Sequence, residues 1–372
     1  MKKLGYILLL ILFFACSKHD SNKEKIIGNS FSIPLSQTES FISLSFDVST
    51  IDQKPVAAVY NFLNGELRLY DITTGKDLFK KTIPLEGPNS IPEHFLVNTY
   101  IGEEGVFLVS NAGRVVYLFN KKGDFINKLR LPDFEEDHGY FYFSDGNKLF
   151  MNKDNKIYLS YFAGLFPNKN PNNVYNSVLA ISIDDNSFRY LAPLPRENVE
   201  IFWGEGHMLT GPFGTYSTHY NGLITGFSNS NIVKVYDLNG TLYKEVYLEL
   251  RNWRQPVPTN IKYEDLANLD QDALYKLRAH SNQQQKVWKI LEMEEGFIVE
   301  VLEPVSEVPL PRFTVYKFDK DFNFLSTRAF LDDHYTCYQS FVLNNKYHLV
   351  DLKAYQEDED ELKFGVFGFE DL

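Results

Sequence analysis

A unit of three β-rich runs recurs along this chain, with a turn of Asp, Asn or Gly residues between its second and third runs. The first copy covers 56–62, 66–70 and 78–85, and its turn is Asp71-Ile-Thr-Thr-Gly75. Further copies occupy 106–110, 114–119 and 125–131; 156–162, 177–183 and 188–194; 222–227, 231–236 and 242–248; and 296–301, 312–318 and 324–330. Their turns begin at Asn120, Asp184, Asp237 and Asp319. A sixth, partial copy takes 340–343, 347–352 and 363–369. Such turn residues supply the left-handed backbone that tight antiparallel connections need. One meander cannot bury both of its faces, so the copies must stack. Sheets repeated around an axis make a propeller. The expected fold is all-β, a six-bladed β-propeller, or seven-bladed if two units are merged in this count. The alternating segment 41–46 is expected to complete the last blade and close the ring. A β-sandwich would not need the same turn so regularly.

The longest interval between turns, from Asp237 to Asp319, holds an insertion at about 258–290. There Leu266, Leu269, Ala273, Leu274 and Leu277 fall near one face at helical spacing, with Thr259 or Asn260 as candidate caps. A small helical insertion lying over one end of the propeller is expected.

The N-terminus carries an address. Lys2 and Lys3 precede an apolar stretch at 4–14, and Ala15 precedes Cys16. The stretch is too short for a membrane-spanning helix and suits a signal-peptide core. The pattern resembles a bacterial lipoprotein signal, in which the Cys becomes the lipidated first residue. Phe13 stands where Leu is usual, so the lipobox is a relaxed one. Ser17 in place of Asp argues against inner-membrane retention. The expected division is a signal peptide at 1–15, a polar tether at 16–37 and the propeller domain at 38–372. The expected location is the outer membrane, facing the periplasm or the outside, with the N-terminal lipid as the membrane attachment.

Composition narrows the function. With 37 Lys plus Arg against 49 Asp plus Glu, the net charge is -12. An acidic body repels phosphate, so nucleic acid is not expected as a partner. The 2 Cys residues exclude a disulfide framework and a cysteine zinc cluster. Cys337 reads as a small buried apolar residue. The relaxed lipobox and the repeated turn-bearing meanders together resemble the uncharacterised propeller-type lipoproteins of Bacteroidota, which carry TolB-like or six-bladed propeller domains of unknown function. That resemblance implies fold and location and supplies no catalytic residue.

No nucleophile elbow, His-Glu-x-x-His or phosphate loop is present. Asp319, Asp321 and Asn323 have the spacing of the first calcium-loop ligands, but Phe324 and Phe330 stand where that loop needs Gly and Glu. They read as an interstrand turn. The candidate binding residues are Trp203, His207, Tyr216 and His219, in a Gly-rich aromatic segment at 201–220, with His94 in the 86–95 segment. The aromatic rings could stack on a sugar or peptide, and the imidazoles could hydrogen-bond or, with His94, His207 and His219 together, hold a metal. Both segments are expected at the same end of the ring. No cofactor and no resident metal is called for. Two classes of function stay open: a binding or scaffold propeller recognising a peptide, glycan or envelope protein, and a hydrolase or lyase acting on an extracellular polymer at the pore.

Overall fold

The computed structural model describes residues 32–35 and 43–372, apart from 88–89, 92–93, 95–96, 111–113, 133–139, 143–148, 165–173, 202, 204–210, 262–264, 266–267 and 306–311. A short strand, β1 (Ser32–Pro34), precedes six four-stranded antiparallel sheets. Blade I is β2 (Leu44–Ile51), β3 (Lys54–Asn61), β4 (Glu66–Asp71) and β5 (Lys76–Thr82). Blade II is β6 (Val97–Gly102), β7 (Gly105–Ser110), β8 (Val115–Asn120) and β9 (Phe125–Arg130). A two-stranded ribbon, β10 (Tyr140–Tyr142) with β13 (Phe162–Gly164), flanks blade III. Blade III itself is β11 (Phe150–Lys153), β12 (Lys156–Ser160), β14 (Asn176–Ser182) and β15 (Phe188–Pro193), followed by helix α1 (Arg196–Glu200). Blade IV is β16 (Pro212–Ser217), β17 (Gly222–Phe227), β18 (Ile232–Tyr236) and β19 (Leu242–Tyr247), followed by helix α2 (Gln271–Asn282). Blade V is β20 (Lys286–Glu292), β21 (Gly296–Leu302), β22 (Phe313–Asp319) and β23 (Phe324–Phe330). Blade VI is β24 (Tyr335–Leu343), β25 (Lys346–Asp351) and β26 (Glu361–Phe367), with helix α3 (Leu352–Glu357) between the last two and β1 as its outermost strand.

The expected six-bladed propeller is therefore the fold, with two corrections. The three-run unit is the outer three strands of each blade, except in blade VI, where the first run falls on the inner strand. Inner strands such as Val97-Asn-Thr-Tyr-Ile-Gly and Pro212-Phe-Gly-Thr-Tyr-Ser, at the edge of each blade that borders the central channel, mix small polar and aromatic residues. They carry no continuous apolar run. The second correction concerns closure. Of the segment 41–46, residues 41–42 lie outside the described residues and 44–46 begin β2, the inner strand of blade I. The ring closes instead through β1, which pairs Ser32 with Lys363, Ile33 with Leu362 and Pro34 with Glu361.

The core is divided among the six junctions between neighbouring blades. Strand alternation explains this, since successive side chains point to opposite faces. On β3, Val56, Ala58 and Tyr60 pack against blade II, while Ala57 and Val59 pack against blade VI. Each sheet thereby buries both faces on its two neighbours, and six junctions leave no open side.

The Asp/Asn turns lie between the third and fourth strands. Asp237 Oδ1 accepts the amides of Asn239 and Thr241, both at 2.8 Å, and Asp319 Oδ1 accepts those of Asp321 at 2.9 Å and Asn323 at 2.8 Å. The same one-residue register shift follows in blades I, II, IV and V, so it belongs to the repeat. In the insertion, Asp270 caps α2 by accepting the Ala273 amide at 2.8 Å. Thr259 and Asn260 do not, because the helix starts about ten residues later than they would require. Leu277 is buried, Leu274 is exposed, and residues 286–290 are already part of β20.

Candidate functional site

Because every blade runs antiparallel, its connections alternate between two ends of the ring. Turns such as 52–53 and 72–75 lie at one, here the turn end. Loops such as 62–65 and 83–96, which include the links between blades, lie at the other, the loop end. The sequence-picked residues divide between them. His94 and Trp203 sit at the loop end, His207 lies outside the described residues, and Tyr216 and His219 reach the turn end. Strand β16 separates the two groups by roughly 20 Å, the length of six extended residues. A site joining His94 to His219 does not form, which corrects the expectation that both segments share one end.

At the loop end the residues serve packing. His94 hydrogen-bonds the Tyr60 hydroxyl through Nδ1 and lies so close to Gly65 that an added Cβ there would stand 2.5 Å from its ring. Burial lowers the His94 imidazole below its ordinary value. Trp203 is buried, and its indole N–H points to the carbonyl of Glu197 at 3.4 Å, tying its ring to α1. At the turn end, His219 stacks edge-on against Tyr220. The Tyr216 hydroxyl meets Lys153 Nζ and Asn221 Oδ1, each at 2.7 Å.

Tyr216 borders a cavity of ≈ 480 Å³ in the central channel at the turn end. Inner strands of four blades line it: Phe46, Asp47 and Ser49 from β2, Thr215 and Tyr216 from β16, Lys289 and Glu292 from β20, and Tyr338, Gln339 and Ser340 from β24. Its rim is held rigidly. The Glu292 carboxylate accepts the Ser217 hydroxyl at 2.9 Å and the amides of Thr218 at 2.6 Å and His219 at 3.1 Å. Asp47 Oδ2 accepts the Ile101 amide at 2.8 Å.

Two inner strands depart from regular pairing, and they are neighbours. The β20 register slips between Val287 and Lys289, and that of β24 slips between Thr336 and Phe341. The other four inner strands pair without a shift. Bulges of this kind re-aim side chains beside functional sites. Here they bring together ionisable groups that a propeller core does not require. Lys289 donates to the Ser340 carbonyl at 2.7 Å and approaches its hydroxyl at 3.2 Å. Opposite Lys289 on β21 is Glu300, wholly buried, which accepts the Tyr347 hydroxyl at 2.9 Å through Oε1. Its Oε2 is buried without a hydrogen-bond partner. Burial lowers the Lys289 amine, against the charges of Glu300, Cys337 and Asp47, and burial raises the Glu300 carboxyl, against Lys289 and the Ser340 and Tyr347 hydroxyls. Both groups are thus pushed toward their neutral forms. Cys337 is buried as expected, and burial raises its thiol well above the ordinary range.

Sequence reasoning passed over Lys289, Glu300 and Ser340. The available signal was a charge inside an apolar strand, as in Gly296-Phe-Ile-Val-Glu-Val, since such a charge is rarely buried without purpose. Among the described residues, no group of three or more His, Cys, Asp or Glu is arranged to hold a metal ion.

Comparison with known proteins agrees with this architecture. No curated protein matches the chain. The chain is similar to the crystal structure of a DUF4221 family member from Bacteroides vulgatus, with a TM-score of 0.72 and 17% identity, covering 91% of this chain and 95% of that one. It is also similar to a protein from Bacteroides fragilis, with a TM-score of 0.55 and 10% identity, covering 91% of this chain and 94% of that one. At such identities the likeness is one of fold. The family described as "Domain of unknown function (DUF4221)" matches residues 32–285, more than half of the sequence, and the chain belongs to that family.

Proposed function

We propose that this protein is an outer-membrane lipoprotein, held by a lipid on Cys16, whose propeller binds a saccharide in the turn-end channel. The observation that carries the binding half is the cavity of ≈ 480 Å³ lined by four inner strands. Its size falls within the range of small-ligand sites. Its lining combines hydroxyl and amide groups (Ser49, Thr215, Tyr216, Gln339) with the ring of Tyr338, a combination that matches a sugar's polar rim and apolar ring face. The anchoring half rests on Lys2, Lys3, the apolar run at 4–14 and Cys16. A net charge of -12 gives the body no attraction to an anionic membrane surface, so the lipid carries the attachment.

Isothermal calorimetry of the purified full chain against neutral oligosaccharides and short peptides tests the ligand. Saturable saccharide binding is expected, at least tenfold weaker in Tyr338→Ala and unchanged in Trp203→Phe. Binding of peptides alone would replace the saccharide with a peptide, and binding of neither would overturn the channel reading. Metabolic labelling with an alkynyl fatty acid tests the anchor: label lost in Cys16→Ser supports it, and label retained in that variant rejects it.

A further inference from the structure

We propose that Lys289 captures an aldehyde in the channel, such as the open-chain form of a reducing sugar, as a reversible imine. This rests on the channel being the ligand site and adds a covalent step to it. Three observations of geometry carry the inference. Lys289 is 8% exposed and lines the cavity, so it stands at the wall of the channel while shielded from bulk water. Its two hydrogen bonds both go to one residue, Ser340, which leaves one tetrahedral position of the nitrogen without a bond. The bulges in β20 and β24 exist at this point and at no other inner-strand position among the described residues. A lysine needed only for packing would not require two adjacent strands to be distorted around it.

The neighbours supply what imine formation needs. The amine must be unprotonated to attack, and burial favours that form. Nitrogen bonds to the carbonyl carbon, and the former π pair on oxygen takes a proton to give a carbinolamine. That adduct then loses a nitrogen-bound proton, its hydroxyl leaves as water after accepting a second proton, and the iminium so formed gives up its remaining nitrogen-bound proton to become the imine. The net change is amine plus aldehyde to imine plus water, with no oxidant or reductant. Glu300 is the proton donor, because burial holds its carboxyl toward the protonated form. Ser340, whose hydroxyl lies 3.2 Å from the amine, is the relay. Tyr347, bonded to Glu300 at 2.9 Å, orients the carboxyl. The groups that face the amine and set its charge are Glu300 on β21, Cys337 on β24 and Asp47 on β2.

The test is reductive trapping on the purified full chain with glycolaldehyde and cyanoborohydride, followed by peptide mass mapping. At pH 7, the hydroxyethyl adduct is expected on Lys289 at least tenfold above the exposed Lys76, Lys122 and Lys320. Its trapping should level off at a lower pH than theirs, in the wild-type protein itself, so no variant has to fold for the result to count. Glu300→Gln and Ser340→Ala are expected to slow trapping at Lys289 several-fold and to leave the exposed lysines unaffected. Occupancy at Lys289 no higher than at the exposed lysines would overturn the proposal. Oligosaccharide binding without an adduct would leave the channel as the ligand site and remove the imine alone, so the two readings fail separately.

Discussion

His348 lies where blades VI and I meet, its ring stacked on Phe341 at 4.8 Å with an interplanar angle of 7°. It is 4% exposed, and Nδ1 donates to the Lys346 carbonyl at 2.9 Å. Burial pushes the imidazole down to about 4, against that carbonyl bond. The sign follows from linkage. Between its ordinary value of 6.5 and about 4, the unfolded chain holds a proton that the folded protein refuses. Stability is therefore fully present above pH 6.5 and is lost as pH falls toward 4. The ceiling is roughly 3 kcal/mol, from a little over two units at about 1.4 kcal/mol each. Urea unfolding at pH 7 and pH 4.5 should show most of this loss in the wild type and little of it in His348→Phe. Equal pH slopes in the two proteins would rule it out. At this scale the sequence was a poor guide. Tyr216, a stacking candidate from its sequence, borders the cavity, but Trp203 and His94, candidates from their place in segments between repeat units, are packed in place. Glu300 carries a readable signal, a charge inside an apolar strand, but its pairing with Lys289 shows only in the fold.

At the scale of elements, the turn after each third strand shows how far local chemistry can be read and where packing overrides it. Gly75, Gly123 and Gly240 take positive φ in blades I, II and IV, as the turn grammar requires. Blade V places Phe322 there at φ 70°. Left-handed backbone costs a non-glycine residue about 1–2 kcal/mol. The return is packing: Phe322 stacks on Phe297 at 4.5 Å and on Tyr220 at 6.1 Å, and it is 5% exposed. Losing a buried Phe costs about 3–5 kcal/mol. Phe322→Gly relieves the smaller term and forfeits the larger, so a net destabilisation of about 2 kcal/mol is expected in urea unfolding. A more stable variant would mean that strain dominates. The second and third strands are legible because both their faces are apolar, and the fourth because a marked turn precedes it. The inner strands are not, because buried polar residues such as Asn98 and Thr99 interrupt the apolar pattern that identifies a strand.

At the scale of the molecule, closure decides whether six equivalent junctions behave as one ring. The link is not covalent. It is the short strand β1, whose Ile33 and Leu35 enter the junction between blades VI and I. Blade I grips it from the other side: Arg68 donates to the Pro34 carbonyl and Tyr70 to the Ser32 carbonyl, both at 2.9 Å. A chain begun at residue 43 loses this strand, leaves β26 as an unpaired edge and uncovers the two side chains. Burying each contributes about 1.5–3 kcal/mol, and the ladder bonds add to that. The expected loss is about 5 kcal/mol, the whole stability of many domains. Such a chain should unfold at markedly lower urea, and hydrogen exchange should speed up first in β26 and β4, the strands that hold β1. Ile33→Asp, which keeps the chain length, should reproduce the same exchange pattern at smaller amplitude. If exchange rose evenly in all six blades instead, the ring would be held as a single cooperative unit, and β1 would be one contact among many rather than the clasp.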